Sequence, residues 1–364
     1  MDGNPKSDEG TTATQKLPAE SWEVALNYSG LLGIVPSSFS SVIRSLQINQ
    51  SKSDAELSPS TRFMIERLVR SRSLKACLYF AAQTFVPERI AEEPYVSERC
   101  LVNLFSPREL AVYVGLSYLF KRARKLCDPA QFTMITNRFQ ECADLGGYVG
   151  YAIPALGPAT SIITGAMPYL GLAPFLFYDR RGFIDYTRHL KKNRISLDQS
   201  YELQRWSCTS VQIASVMLQS LGLGVTAASA FATGLTAESE QVISEIPDAN
   251  VYHLAAIWIR ALEDSGTEPK IVHKAEFYPT KAAMQRLIAR AGELREKGSP
   301  FCWLLRGAFD ISPESTPRLY ASAEVQQQSE ARNRLDLVAS EIEQASRAVS
   351  EVEEELKDIL EVEE

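Results

Sequence analysis

Few residues in this sequence have the types and spacing that chemistry requires. Its 364 residues include only three histidines, His189, His253 and His273. None has a second histidine or an aspartate at the spacing of a metal-binding motif such as His-Glu-x-x-His. His189 lies in the basic run 188–192, where a solvated helix face is expected, and structural or surface roles are expected for the other two. The sequence predicts no metal site, no cofactor and no catalytic residue set.

One glycine pattern resembles a nucleotide-binding motif. Residues 222–227 read Gly-Leu-Gly-Val-Thr-Ala, which fits G-x-G-x-x-A. That motif cradles phosphate only when it follows a strand in a βαβ unit, whereas residues 211–221 have a helical pattern. We therefore expect a turn between two helices. No Walker A sequence, G-x-S-x-G elbow or Cys/His nucleophile arrangement occurs.

Cysteine usage and charge limit the function classes further. The six cysteines are scattered, with no C-x-x-C pair, which predicts reduced, buried thiols in a cytoplasmic protein. The net charge is −7, but residues 323–364 alone hold 13 Asp/Glu and 4 Lys/Arg, a net of −9. The remainder is nearly neutral, and nucleic-acid binding requires a basic footprint. We expect neither a nucleic-acid partner nor a membrane partner.

Helix starts are readable because proline follows a capping side chain at Ser58-Pro59, Ser106-Pro107 and Asp128-Pro129. Glu109 and Gln131 stand three residues after two of these caps and predict capping boxes. No alternating, strand-like run of useful length occurs, so the fold class is predicted to be all-α, with core-facing stripes at Phe63, Leu68, Leu74 and Leu78 and at Leu110, Val114 and Leu119. Further helices are predicted at about 22–32, 37–49, 130–152, 159–172, 182–193, 197–221, 225–233, 239–246, 250–264 and 280–297.

Two stretches without charged residues, 145–178 and 206–237, are long enough to raise the question of a membrane span. Four prolines and six glycines interrupt the first, and Ser, Thr and Gln dilute the second. Both are typical of buried central helices, which can be apolar on every side. Membrane insertion remains the least favoured of the interpretations.

The C-terminal stretch has the clearest periodicity in the chain. Apolar residues alternate at spacings of three and four: Leu335, Val338, Ile342, Ala345, Val349, Val352, Leu356 and Ile359. This is a heptad seam, which predicts either a coiled coil and a homodimer or one amphipathic helix folded back on the body. The many glutamates beside the seam would repel one another in a self-paired coil.

These patterns divide the chain into four regions. Residues 1–20 are predicted to be a disordered tail, 21–264 a helical domain, 265–320 a connector with one helix, and 321–364 an acidic coiled-coil-like helix. Within the domain, basic and aromatic residues alternate from Tyr178 to Lys192. They could form a patch for phosphate or an acidic partner, although a solvated amphipathic helix explains them more simply.

Two consecutive landmarks suggest a family. Residues 106–116 look like a helix that ends in a Leu-Gly-like pair, and Leu68–Gln83 looks like a helix that usually reads Ile-x-x-Asp-Pro-x-Leu, with Ser71-Arg72 in place of Asp-Pro. From about Ile34 to Leu262 the order of segments resembles the HDOD domain. HDOD domains are non-enzymatic relatives of the HD-type metal-dependent phosphohydrolases and occur in bacterial signalling proteins.

The resemblance also implies where an HD enzyme would hold its metal. The positions that match the ligands are Glu141, Pro168, Tyr169, Ser210, Gly234 and Leu235. Pro and Leu have no ligating side chain, and Ser and Tyr are poor substitutes for imidazole and carboxylate. The resemblance therefore implies a non-catalytic signalling or scaffold protein that binds protein partners, with a small ligand as a further candidate. The alternative is a divergent phosphohydrolase that holds a hard metal ion through Glu141, Asp144 and Glu202.

Overall fold

A computed structural model describes residues 18–50, 57–91, 96–236, 247–270, 275–306 and 338–339. Every regular element in these ranges is helical and none is a strand, so the predicted all-α class is confirmed. The α-helices there, in chain order, are α1 (Ala19–Gly30), α2 (Ser37–Gln50), α3 (Pro59–Val69), α4 (Arg72–Phe85), α5 (Pro87–Ala91), α6 (Glu98–Asn103), α7 (Pro107–Leu126), α8 (Pro129–Ala152), α9 (Pro158–Leu170), α10 (Ala173–Tyr178), α11 (Arg180–Asn193), α12 (Gln199–Trp206), α13 (Ser210–Leu221), α14 (Val225–Thr236), α15 (Pro247–Asp264), α16 (Lys281–Lys297) and α17 (Trp303–Arg306).

The helix starts that proline marks are confirmed. Ser58, Ser106 and Asp128 each accept a backbone N–H of the first helical turn, and Ser106 with Glu109 forms a complete capping box. The second predicted box is incomplete, because the side chain of Gln131 makes no return bond to Asp128. Asp128 is exposed, so water can satisfy its N–H instead.

The centre of the fold is the pair α8 and α9, which pack along most of their lengths. The pair approaches so closely at Gly165 that an added Cβ would collide with the carbonyl oxygen of Cys142, and at Gly146 it would collide with that of Ser161. Glycine is needed at both positions for this reason. Helices α7, α13 and α15 cover α9, which places the predicted charge-free stretch in the middle of the core.

One stretch in the described part of the chain, Pro158–Tyr178, is long and apolar enough to cross a membrane by length and composition alone. Its residues belong to α9 and α10, and 94% of its most apolar window is buried inside the fold. Such burial is what the core helix of a globular protein requires.

Two expectations about helices are wrong. The predicted helix 197–221 is two helices, because Ser207 adopts a left-handed conformation (φ 60°) and Thr209 starts α13 with a capping box to Gln212. The predicted core-facing stripe is correct at Leu74 and Leu78, which are buried, but it is wrong at Phe63. Phe63 is 42% exposed, and α3 buries Thr61, Ile65 and Val69 instead. The predicted turn at Gly222 and Gly224 is confirmed, with φ of 101° and 91°.

The described residues of the predicted connector pack on the body and form a 3₁₀ turn at Ala275–Phe277, α16 and the short helix α17. Helix α16 contacts α8, and α17 inserts between α4, α7 and α8. Trp303, the first residue of α17, is completely buried, with edge-to-face contacts to Tyr113 and Phe85. Residues 1–17, 237–246 and most of 307–364 lie outside the described residues, together with the helix predicted at 239–246.

Candidate functional site

A cavity of about 330 Å³ opens where α8, α9, α13, α14 and α15 meet the turn between α11 and α12. We call it the Cys142 cavity. Its volume is at the lower end of the range for small-molecule sites, roughly 300–1,000 Å³. It is lined by Cys142, Thr164, Gly165, Tyr169, Arg194, Ile195, Ser196, Leu197, Gln199, Val211, Leu235, Ala256, Ile259, Arg260, Glu263 and Asp264.

The two titratable side chains of the inner cavity wall, Cys142 and Tyr169, are uncharged near pH 7. Burial raises the pKa of the Cys142 thiol to about 11, and burial likewise raises the pKa of Tyr169 well above its usual value. Both groups are therefore neutral near pH 7. A neutral thiol is a poor nucleophile, so this wall suits contact with a ligand better than attack on one.

The turn between α11 and α12 forms one side of the rim and is held in place by polar contacts. The Ser196 hydroxyl donates to Glu263 Oε1 at 2.8 Å, and Glu263 forms an ion pair with Arg138. Arg138 also donates to Ser196 at 3.3 Å, and its guanidinium lies 5.9 Å from the centre of the Tyr169 ring. These contacts tie the turn to α8 and α15.

The rim is charged. Arg194 and Arg260 are both exposed, and neither has an ion-pair partner among the residues that the structure describes. Glu263 is neutralised by Arg138, whereas Asp264 adds one acidic group. The mouth therefore presents two available cations and one available carboxylate above an apolar and thiol-lined interior, an arrangement that can orient a small polar molecule.

Two of the six positions that the HD resemblance singles out line this cavity. Tyr169 and Leu235 line it directly. Glu141 and Ser210 precede the lining residues Cys142 and Val211 in sequence, although Glu141 itself is a half-exposed partner of Arg138 at 3.6 Å. The remaining two positions, Pro168 and Gly234, do not line the cavity.

Pro168 is buried inside α9. Gly234 places α14 close to α15: its carbonyl accepts from His253 Nδ1 at 3.0 Å, and an added Cβ would collide with the Ala249 carbonyl oxygen. Leu235 makes a contact through its backbone: its carbonyl oxygen accepts a hydrogen bond from Gln199 Nε2 at 2.9 Å. No group of three or more His, Cys, Asp or Glu that could hold a metal ion occurs within the described ranges.

Asp144 is fully buried and committed to internal hydrogen bonds. Its carboxylate accepts from Gln140 Nε2 (2.9 Å), from Trp303 Nε1 (2.7 Å) and from the Ser299 hydroxyl. Gln140 in turn accepts from the Leu304 N–H at 3.0 Å. Burial raises the pKa of Asp144 to about 7, although the three hydrogen bonds oppose the shift. This Asp144 cluster fastens α17 to α8.

Glu202 is another fully buried carboxylate in the described part of the chain. It accepts from the Tyr186 hydroxyl at 2.5 Å and from the Ser210 N–H at 2.6 Å, and burial raises its pKa to about 7. The Tyr186 oxygen also accepts from the Asp198 N–H at 3.0 Å. Glu202 therefore joins α11, α12 and α13 and does not line the Cys142 cavity.

His189 differs from the expected solvated side chain. It is half-buried, its Nε2 lies 2.8 Å from Asp198 Oδ2, and its ring packs on Tyr201 at 4.7 Å. Because Asp198 caps α12, this contact joins the two helices that flank the turn at the rim. His253 is buried, and its Nδ1 lies 3.0 Å from the carbonyl oxygen of Gly234, whereas His273 lies outside the described residues.

Several site residues escaped the sequence reasoning. Ser196, Glu263 and Arg138 have ordinary surface patterns, and their contacts arise from helices far apart in the chain. Trp303 had a usable signal, because a tryptophan in a proline-rich connector needs a buried site.

Of the predicted seam, only Val338 is described, as a helical residue that is 51% exposed. Leu335, Ile342, Val349, Val352, Leu356 and Ile359 lie outside the described residues.

No protein-family model, no curated protein and no solved structure gives a significant match to this chain.

Proposed function

We propose that this chain is a non-catalytic binding protein of the HDOD-like type, which acts in bacterial signalling or as a scaffold and uses the Cys142 cavity as its recognition site. The observation that carries the proposal is the composition of this cavity. It includes two of the six positions at which the resemblance places metal ligands, Tyr169 and Leu235, but its wall presents a neutral thiol, a neutral phenol and apolar groups. Such a wall supports binding, either of a small polar molecule or of one side chain of a protein partner.

The carboxylates of the alternative, a divergent phosphohydrolase, are used in other ways. Asp144 holds α17, Glu202 holds three helices together, and Glu141 pairs with Arg138. Groups with a pKa near 7 are often general acids, yet both buried carboxylates have internal partners for each oxygen. These contacts favour a structural role for Asp144 and Glu202.

Catalysis can be tested on the full chain. After incubation with Mn²⁺ or Mg²⁺, we expect no stoichiometric metal by elemental analysis and no hydrolysis of bis-p-nitrophenyl phosphate above background. Metal-dependent turnover that disappears in Glu141→Gln but survives in Glu88→Gln, an exposed glutamate on α5, would establish the alternative.

Binding can be tested with a panel of mononucleotides and dicarboxylates, read by thermal shift and confirmed by calorimetry. Ala256 stands on the cavity wall, so Ala256→Phe fills the space, and Arg260→Ala removes one rim cation. We expect both variants to abolish or weaken a hit at least tenfold, whereas Ser229→Phe, on the exposed side of α14, leaves it unchanged. A hit that all three variants retain equally would place the binding site elsewhere.

A further inference from the structure

A second concave surface lies on the other side of the turn that forms the cavity rim. This α8–α11 groove, of about 610 Å³, runs between the first half of α8 and the length of α11. Its floor is apolar, made by the buried side chains of Ile135, Leu172 and Phe183. Met134 and Ile195 stand at its mouth and are 45% and 40% exposed. Exposed apolar side chains beside an apolar floor indicate a surface that a partner covers.

The rim of the groove is strongly basic. Among the described residues, four cations line it, Arg138, Arg188, Lys191 and Arg194, and no acidic residue does. Arg138 and Arg188 have carboxylate partners, Glu263 and Asp185. Lys191 and Arg194 are exposed and have no ion-pair partner in the part of the chain that the structure describes. The groove therefore fits an apolar strip flanked by negative charge.

The chain itself contains such a segment. Residues 340–364 hold ten Asp/Glu and two Lys/Arg, and Ile342, Val349, Val352, Leu356 and Ile359 repeat at helical spacing. We propose that this acidic segment docks, within the same chain, in the α8–α11 groove, with its apolar seam on the groove floor and its carboxylates against Lys191 and Arg194. The proposal does not depend on any ligand of the Cys142 cavity, but it engages Arg194, which also stands at the rim of that cavity.

The path of the chain allows this contact. The last described residue of α17 is Arg306, and the Leu304 N–H ties this helix to Gln140 of α8. Ile135 of the groove floor is five residues from Gln140 on the same helix, about 8 Å along its axis at 1.5 Å per residue. The 36 residues from Arg306 to Ile342 span roughly 54 Å even if they are wholly helical. The intervening chain is therefore long enough for docking in cis.

Charge also favours the groove over pairing of the segment with a second copy of itself. A self-paired coil would bring Glu351, Glu353, Glu354 and Glu355 of two chains together, and like charges at such an interface are unfavourable. The groove offers cations instead. Complementary charge governs the choice of partner at an interface more than the total affinity.

The test is hydrogen–deuterium exchange of residues 340–364 in the full-length protein. In Lys191→Glu/Arg194→Glu we expect these amides to lose about tenfold in protection relative to wild type, since two attractions become repulsions. The matched control Arg180→Glu/Arg181→Glu makes the same charge change at the other end of α11, outside the groove, and should leave protection unchanged. Adding Glu353→Lys/Glu354→Lys to the groove variant should restore it.

Three results would overturn the proposal. The first is equal protection in wild type and the groove variant, and the second is an equal loss in the groove variant and its control. The third is protection that rises with protein concentration alongside a dimeric mass by light scattering, which would assign the segment to a second copy. Unfolding curves for each variant exclude a general loss of structure.

Discussion

Polar groups are enclosed by protein on one face of α8 and border an open cavity on the other. On one face, the Asp144 cluster is closed: Gln140, Ser299 and Trp303 supply hydrogen bonds to the carboxylate, and α17 excludes water. On the other face, two residues earlier along the helix, Cys142 contributes to a cavity whose rim cations Arg194 and Arg260 have no ion-pair partner among the described residues. Internal hydrogen bonds to every oxygen of Asp144 favour a structural role for it, whereas cations without an ion-pair partner are available to a ligand.

This contrast explains why a perturbed pKa alone is a poor guide to function here. Asp144 and Glu202 have the most perturbed carboxylates in the described part of the structure, yet both are enclosed by their own hydrogen bonds. Desolvation raises their pKa whether or not they act on a substrate. On the inner wall of the cavity, by comparison, Cys142 and Tyr169 both stay neutral near pH 7.

The largest effect on stability should come from removing Trp303, the side chain of α17 that covers the Asp144 cluster. Trp303→Ala deletes a fully buried indole and its hydrogen bond to Asp144, so we expect a loss of about 3–5 kcal/mol in the free energy of unfolding, measured by urea denaturation. Trp258→Phe is a control for the loss of a buried indole hydrogen bond elsewhere in the core. Trp258 is as buried as Trp303, but it donates to the Phe277 carbonyl and not to Asp144. A cost below about 1 kcal/mol for Trp303→Ala would mean that α17 is only loosely attached.

The pH dependence of stability should identify the same cluster. The folded protein raises the pKa of Asp144 from 3.8 to about 7, so between these values the folded state binds a proton that the unfolded chain has released. Stability then falls as pH rises through this window. In Asp144→Asn the amide can accept from Trp303 and donate to Ser299, as the protonated acid can.

We therefore expect Asp144→Asn to reduce the difference in unfolding free energy between pH 5 and pH 8 by about 2 kcal/mol. Glu202 and Glu66 contribute to the residual slope, because burial raises the pKa of each in the same direction. Asp185→Asn, at an exposed carboxylate on α11, should leave the difference unchanged. An unaltered slope in Asp144→Asn would show that this carboxyl is ionised in the folded protein at both pH values.

Matched enlargements test whether the second face is open. Ala143 is completely buried in the core beside Cys142, so Ala143→Leu should cost about 1–3 kcal/mol through overpacking. Ala256→Leu adds the same atoms to the wall of the Cys142 cavity and should cost less than about 1 kcal/mol. Thermal unfolding of the two variants gives the comparison directly. Equal costs would contradict an open cavity.

The sequence predicts the elements of this fold better than their contacts. The cap at Ser106 and the turn at Gly222 depend on residues close together in the chain, and both were predicted correctly. The break at Ser207 was missed because the apolar pattern continues through it, and Phe63 was wrongly assigned to the core because α3 presents a different face. At Phe63 tertiary packing overrides the local pattern, whereas the break at Ser207 depends on a local signal, the capping box of Thr209 and Gln212.

The candidate site was predictable only in part. The resemblance drew attention to Tyr169 and Leu235, which do line one cavity. It could not predict that Ser196 and Glu263 meet at the rim, because 67 residues separate them in the sequence. Nor could spacing reveal that Asp144, at the edge of a charge-free stretch, would meet Trp303 from a connector 159 residues away.

The smallest expected difference separates two serines that hold the two faces. Ser299 donates to the buried Asp144 carboxylate, so Ser299→Ala leaves a buried acceptor with one donor fewer and should cost about 1–3 kcal/mol. Ser196 donates to Glu263 at the half-exposed rim, where water and Arg138 can compensate, and Ser196→Ala should cost about 0.5–1 kcal/mol. Exchange of the amides of residues 194–199 should rise in Ser196→Ala alone. If Ser299→Ala proves the milder change, the closed face owes its stability to the packing of Trp303 rather than to the hydrogen bonds of Asp144.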